Sequence, residues 1–544
     1  MTEPLDGDGT HEAPAVDRGL IAVVAVAVVA GVVYRFLPRS DLWLDEALSV
    51  NIARLPLGEI GDALRRDGHP PLYYWLLHLW TAAGTSDWWV RALSGVISLV
   101  GFPLAYLAGA RMADRADRAD GSGGSALGRR RLGLLAMATY AVLPFGVRYG
   151  SETRMYSLVM VLVLAGYLLA DDLLADRPRR GGTWLTAAGL ALVTAGLLWS
   201  HYWAMWLVAA VGLLALWRLW RTRSDRAARR GPLAAVGALV VGGVLFLPWV
   251  PNLLYQSAHT GTPWGKTFRP ATMVVVTIVD LAGGSFSEPQ AGSYLLVLLL
   301  ALACLAVPVG TRLYLRWGVS TRVRNELVVV ALTMAIAWAV AFASSSTFAS
   351  RYSAVVVPLL MLCIAAGIAT ARSRTATVVL MALVTVVGVF GSTVEVFRDR
   401  TQTGVAATEI LADRARNGKG PAVVVTCPDQ LGPATTRALG NRTEDPPEVI
   451  PFPTGGDPRF VNWVDYEQRN RAADPTAFVA SIEPRIPADA TVYLVANMSY
   501  LTFEDKCEQV LAQLATNRDV TPIVSGDADN FYEATSLWAL RPRA

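Results

Sequence analysis

The chain has 544 residues, 53% of them hydrophobic and only 17% charged, with a mean hydropathy of +0.38. That balance excludes an ordinary soluble globular protein, which carries more charge and shorter apolar runs. The net charge of +4 is too small to point to a nucleic-acid partner, and Lys266, Lys419 and Lys506 are the only lysines.

Residues 1–18 are polar and contain Pro and Gly, the composition of a disordered cytoplasmic tail. The apolar run 19–37 follows, with no small-residue cleavage site before Pro38, and reads as a retained first span. Further runs suited to crossing about 30 Å of hydrocarbon lie at 88–111, 132–147, 155–174, 184–199, 202–219, 233–250, 293–310, 326–343, 354–370 and 376–396, which makes eleven. The fold class expected is therefore mainly α, a polytopic transmembrane bundle over 19–396.

Arginine distribution orients the bundle. Clusters at Arg111–Arg131, Arg177–Arg180, Arg218–Arg230, Arg312–Arg324 and Arg372–Arg374 fall on every second connection, and basic loops stay on the cytoplasmic side. The opposite loops, 38–87, 148–154, 251–292, 344–353 and everything after 396, then face outward. Two short apolar stretches among them, 70–84 and 271–282, would break the alternation as spans. They are expected to be interfacial or re-entrant helices. In 51–66, Ile52, Leu55, Ile60 and Leu64 recur at helical spacing, which suggests an amphipathic helix on the membrane surface.

From Phe397 onward charge, Pro and Asn return. Strand-like runs at 422–426, 491–496, 522–525 and 534–540 alternate with helical stretches at 433–439 and 503–516, the pattern of a small α/β domain over 397–544, outside the membrane. Cys427 and Cys507 are the only cysteines beyond the spans. They are either a disulfide permitted by an oxidising compartment or two separate buried thiols. An arginine-biased chain rich in Ala, Val, Gly and Leu has the composition of a GC-rich bacterial source, so the membrane expected is the bacterial cytoplasmic membrane.

Polar motifs gather on the outward side. Asp45 and Glu46 follow the first span, in Trp43-Leu-Asp45-Glu46-Ala-Leu-Ser49. Ionisable groups at a membrane boundary are functional candidates, although the same pair would also complement a helix N-terminus. His69-Pro-Pro-Leu-Tyr73-Tyr74 opens the short outward helix. Glu152-Thr-Arg154-Met-Tyr156, His201-Tyr202-Trp203 and Arg351-Tyr352 complete the set. A lone His is usually structural, but five polar motifs on one face are poorly explained that way.

These motifs resemble the GT-C glycosyltransferases, in particular the branch of protein O-mannosyltransferases and lipid A aminoarabinose transferases. The likeness covers 19–396. The aminoarabinose branch carries Lys where this chain has His69, and the segment after 396 resembles no family. The resemblance implies a polyprenyl-phosphate-sugar donor, a site in the first outward loop, inversion at the anomeric carbon, and Asp45 as general base. Glu46 would position the acceptor or tune Asp45. An acceptor hydroxyl needs a base within hydrogen-bond reach, and the departing phosphate needs positive charge, which guanidinium groups supply in bidentate form. Arg154 and Arg351, with Tyr156 and Tyr352, are the expected phosphate ligands, and His69, Tyr73, Glu152, His201 and Tyr202 the expected substrate contacts. No compact metal-ligand spacing is present, so no obligatory metal is expected. Mannose is the first expectation for the sugar. The acceptor is a cell-envelope glycan, glycolipid or protein. A lipid-linked-sugar flippase or transporter is the main alternative, although such proteins show repeats and this chain shows none.

Overall fold

The computed structural model describes residues 18–119, 126–175, 182–261, 269–284, 291–309, 312–315, 319–344, 348–371, 373–418, 420–498, 500 and 502–543. The tail at 1–17 and Arg177, Arg179, Arg180, Arg316 and Arg372 of the basic clusters lie outside the described residues.

Helices occupy all eleven positions expected of spans, but among the described residues only eight are long and apolar enough to cross a membrane. They are Arg18–Phe36, Asp87–Ala119, Tyr156–Leu174, Thr183–Ser200, Ala204–Arg221, Arg226–Phe246, Arg324–Ser344 and Arg374–Phe397. The chain is thus a multi-pass membrane protein. Ala126–Val142 and Pro144–Gly150 make a ninth span if taken together, bent by 58°. The bend falls at Leu143, which the following Pro144 holds in an extended conformation.

The remaining two are shorter than a full-length span, so the described residues do not confirm the count of eleven. Ala291–Leu305 stops where the chain turns into a hairpin of β1 (Ala306–Val309) and β2 (Arg312–Leu315). Pro308 can supply no helical N–H there. Val357–Ala369 has 13 residues, about 20 Å at 1.5 Å per residue. It is buried from Val357 to Ile368, so it is a core helix sheathed by its neighbours. Gly367 lets it approach closely: a Cβ there would overlap the carbonyl oxygen of Leu299. Gly367→Ala is expected to cost about 1–3 kcal/mol, read as a lower thermal unfolding midpoint of the detergent-solubilised protein.

The stretches 70–84 and 271–282, expected to face outward, are the short helices Leu72–Thr81 and Pro270–Leu281. The amphipathic segment 51–66 is not one helix. Leu44–Ala53 ends, and Leu57–Asp67 begins after Pro56. Ile60 and Leu64 are fully buried, in one cluster with Trp249 and Trp463. Their apolar face therefore meets protein where a lipid surface was expected.

After the last span comes the helix Thr403–Arg416 and then a five-stranded sheet of order β4-β3-β5-β7-β6. Its strands are β3 (Ala422–Cys427), β4 (Glu448–Pro451), β5 (Thr491–Ala496), β6 (Arg518–Val524) and β7 (Ser536–Pro542). β3, β4 and β5 run parallel, and β7 is antiparallel to both β5 and β6. β3 and β5 are largely apolar because both faces are covered. Val424, Tyr493 and Val495 face Ala407, Ile410 and Leu439. Val423, Val425, Val492 and Leu494 face Phe478, Ile482, Val510 and Leu514. The second of these cores runs on into Trp43, Leu48, Ile52 and Tyr74 of the segment between the first two spans. Cys427 and Cys507 are joined in a disulfide, with Cα atoms 5.7 Å apart.

Three ion pairs fasten the sheet domain to the bundle. Arg442 holds Asp41 at 2.8 Å, Arg437 holds Asp87 at 2.7 Å, and Arg400 holds the buried Glu152 at 2.8 Å.

Candidate active site

A cavity of about 310 Å³ lies between the segment that follows the first span and the carboxyl ends of β3 and β5. Asp45, Asp67, His69, Arg154, Arg351 and Tyr352 line it from the bundle side. Gln430, Trp463, Asn497, Tyr500, Tyr532 and Glu533 line it from the sheet domain.

Asp45 sits in the first turn of Leu44–Ala53. Its Oδ2 is buried and accepts no hydrogen bond, yet it lies 3.6 Å from Arg154 and 3.8 Å from Arg351. A carboxylate oxygen in that position is electrostatically held but has a lone pair to spare. Arg154 comes from the loop that follows Pro144–Gly150. Its guanidinium also donates to the Ser49 hydroxyl at 3.3 Å, and at 3.0 Å to His69 Nε2. Since Nε2 accepts, the His69 proton is on Nδ1, which donates to Asp67 at 2.7 Å. Tyr74 donates to the same Asp67 oxygen at 3.2 Å. A chain of contacts Asp67–His69–Arg154–Asp45 results. It fixes the His69 ring and the Arg154 fork. Arg351 enters from the 3₁₀ turn Ser350–Val355, its guanidinium 5.9 Å from the Trp43 ring.

The other expected site residues divide. Tyr352 reaches the cavity. Tyr156 and His201 pack behind it, with ring centres 5.6 Å apart for that pair and 5.4 Å for His201 and Tyr352. Both are buried and outside the lining. Tyr73 is turned away, bonded to the Ser94 hydroxyl at 2.8 Å. Tyr202 donates to Gln256 and accepts from the Trp249 indole at 2.9 Å. Glu152 is spent on Arg400. Glu46 is fully buried away from the cavity, gripped by Arg91 at 2.8 and 2.6 Å and by the Thr153 N–H at 2.9 Å. It does not face Asp45, because successive helical residues point about 100° apart.

Sequence reasoning missed Asp67, although it stands two places before His69, and it missed the whole wall contributed by the sheet domain. Glu533 is the most consequential of these. It accepts from the Thr401 hydroxyl and the Leu44 N–H. Burial, with the Asp45 charge adding to it, pushes its carboxyl up to about 8. The folded chain therefore keeps a proton that the unfolded chain loses near the ordinary 4.5, and stability falls as pH rises from that value through about 8. Glu533→Gln cannot titrate, so its thermal unfolding midpoint is expected to fall less than that of the wild type between about pH 5 and about pH 8. Among the described residues no group of three His, Cys, Asp or Glu side chains is placed to hold a metal.

No protein-family model matches the chain, and no curated protein does. Solved structures do match. ArnT from Cupriavidus metallidurans bound to undecaprenyl phosphate is 14% identical with a TM-score of 0.51, over 96% of this chain and 98% of that one. The same protein in the apo state is 13% identical with a TM-score of 0.50, over 96% and 97%. The archaeal oligosaccharyltransferase AglB from Archaeoglobus fulgidus is 10% identical with a TM-score of 0.43, over 92% and 72%. The fold of this chain is accordingly the mainly helical, multi-pass GT-C fold seen in ArnT, with a small sheet domain after the last span.

Proposed function

We propose that the chain is an inverting membrane glycosyltransferase. It moves a sugar from a polyprenyl-phosphate donor to a hydroxyl of a cell-envelope glycan, glycolipid or protein, on the outer face of a bacterial cytoplasmic membrane. The observation that carries this reading is the unbonded Asp45 oxygen flanked by Arg154 and Arg351 in a walled cavity. Undecaprenyl phosphate bound by the similarly folded ArnT supports the donor class.

The acceptor oxygen attacks the anomeric carbon as its proton passes to Asp45. The bond from that carbon to the phosphate oxygen breaks, and its electron pair leaves with the lipid phosphate. That phosphate is already a stable anion, so it needs charge stabilisation more than it needs a proton. Arg154 and Arg351 supply this charge. They flank Asp45 at 3.6 and 3.8 Å, and a bound phosphate competes for both, releasing the carboxylate to the acceptor. No metal is required for this scheme. Mannose remains the first choice of sugar.

The experiment is sugar transfer by purified protein in nanodiscs, using labelled polyprenyl-phosphate sugars and envelope acceptors. Transfer from one donor supports the reading. Donor lipid crossing the bilayer without transfer would replace it with a flippase. Arg351→Ala is expected to raise donor KM at least tenfold and lower kcat as well, because a phosphate contact strengthens as the phosphate leaves. Arg351→Lys is expected to recover only part of the loss, since Lys offers a point charge without the fork.

A further inference from the structure

A second, larger cavity of about 640 Å³ shares no lining residue with the first. Its walls include Val163, Leu190, Val193, Leu207 and Leu239, drawn from four different spans. Its mouth lies among the arginine clusters, with five arginines and three carboxylates, Asp171, Asp172 and Glu326. Five against three leaves two positive charges.

Of the five, Arg118, Arg218 and Arg324 take no part in the pairs with these carboxylates, and Arg218 has contacts of its own elsewhere. Arg111 pairs with Asp172, and Arg115 pairs with Glu326 and with Asp171, the last at 2.7 Å. These pairs answer all three carboxylates and brace Asp87–Ala119, Tyr156–Leu174 and Arg324–Ser344 around the opening. Arg118 and Arg324 are exposed at the mouth. They have no carboxylate partner among the described residues. An apolar shaft between spans, with unmatched guanidiniums on the side that the charge rule turns to the cytoplasm, suits a lipid with a negative headgroup. The phosphate would meet Arg118 and Arg324, and an acyl chain the Val and Leu walls. A zwitterionic lipid gains little from that excess charge. A donor whose phosphate sits beside Asp45 would not place a second phosphate here.

We propose that this cavity holds one acidic phospholipid of the inner leaflet, at a site separate from the transferase centre. The lipid would brace Tyr156–Leu174, which lines the cavity toward its carboxyl end and begins two residues after Arg154.

The test is native mass spectrometry of the purified full-length protein with phosphatidylglycerol or phosphatidylcholine. Tighter retention of phosphatidylglycerol, by about tenfold or more, is expected, since each arginine near a lipid phosphate is worth about 1 kcal/mol. The double variant Arg118→Ala/Arg324→Ala, changed only at exposed positions, is expected to lose that preference. Val193→Trp, which fills the shaft, is expected to lose retention of either lipid. Equal retention of both lipids by the wild type would overturn the proposal, as would an undiminished preference in the double arginine variant. Displacement of phosphatidylglycerol by polyprenyl phosphate would overturn it too, making the cavity part of the donor's path.

Discussion

Asp45→Asn is expected to reduce sugar transfer by about 10³-fold while leaving the fold and donor binding nearly intact. General base catalysis contributes roughly 10²–10⁴, and the amide can neither take the proton nor offset the adjacent guanidiniums. The exchange is nearly isosteric and the lost oxygen accepts no hydrogen bond, so no cavity opens, and Arg154 keeps its contacts with Ser49 and His69. The measurement is single-turnover transfer in nanodiscs with saturating donor, beside a thermal unfolding scan. A variant with wild-type turnover would remove Asp45 from the chemistry. A variant that fails to fold would show that its charge holds Arg154 and Arg351 apart, a structural part in place of the catalytic one.

The neighbouring residue is expected to behave in the opposite way. Arg91 is 3% exposed and Glu46 fully buried, and their two-pronged contact ties Leu44–Ala53 to the start of Asp87–Ala119. Removing one member of such a pair strands the other charge, which costs about 3–5 kcal/mol. Glu46→Ala should therefore lower the unfolding midpoint by many degrees or abolish recovery of folded protein. Arg91→Ala should do the same. The double variant Glu46→Ala/Arg91→Ala is expected to recover part of the loss, because no unpaired charge remains. If Glu46→Ala instead folds as the wild type and loses transfer, Glu46 belongs to the reaction and the ion pair is incidental.

Much of the site was legible in sequence because its donors sit in compact motifs. Asp45, His69, Arg154 and Arg351 were singled out from four separate segments, and the structure brings all four to one cavity. The errors share a cause. Tyr73 and Tyr202 stand beside polar neighbours in the chain, yet local spacing does not say which way a side chain turns. Ser94 and Gln256, which claim them, lie 21 and 54 residues away. The sheet-domain wall carried no motif at all. Gln430, Tyr500 and Glu533 are ordinary loop residues until β3, β5 and β7 place them together.

What the sequence determined by itself is the class of molecule, a multi-pass membrane protein. Apolar runs and arginine-bearing loops act through the solvent each segment prefers, a property of composition that needs no partner. Only the tertiary structure decided the number of full-length spans, since Val357–Ala369 is apolar because neighbouring helices bury it. It also decided the parts played by Asp45 and Glu46. One turn of helix carries both, and the packing of Arg91 on one side and Arg154 on the other sends one carboxylate into the core and leaves the other at the cavity.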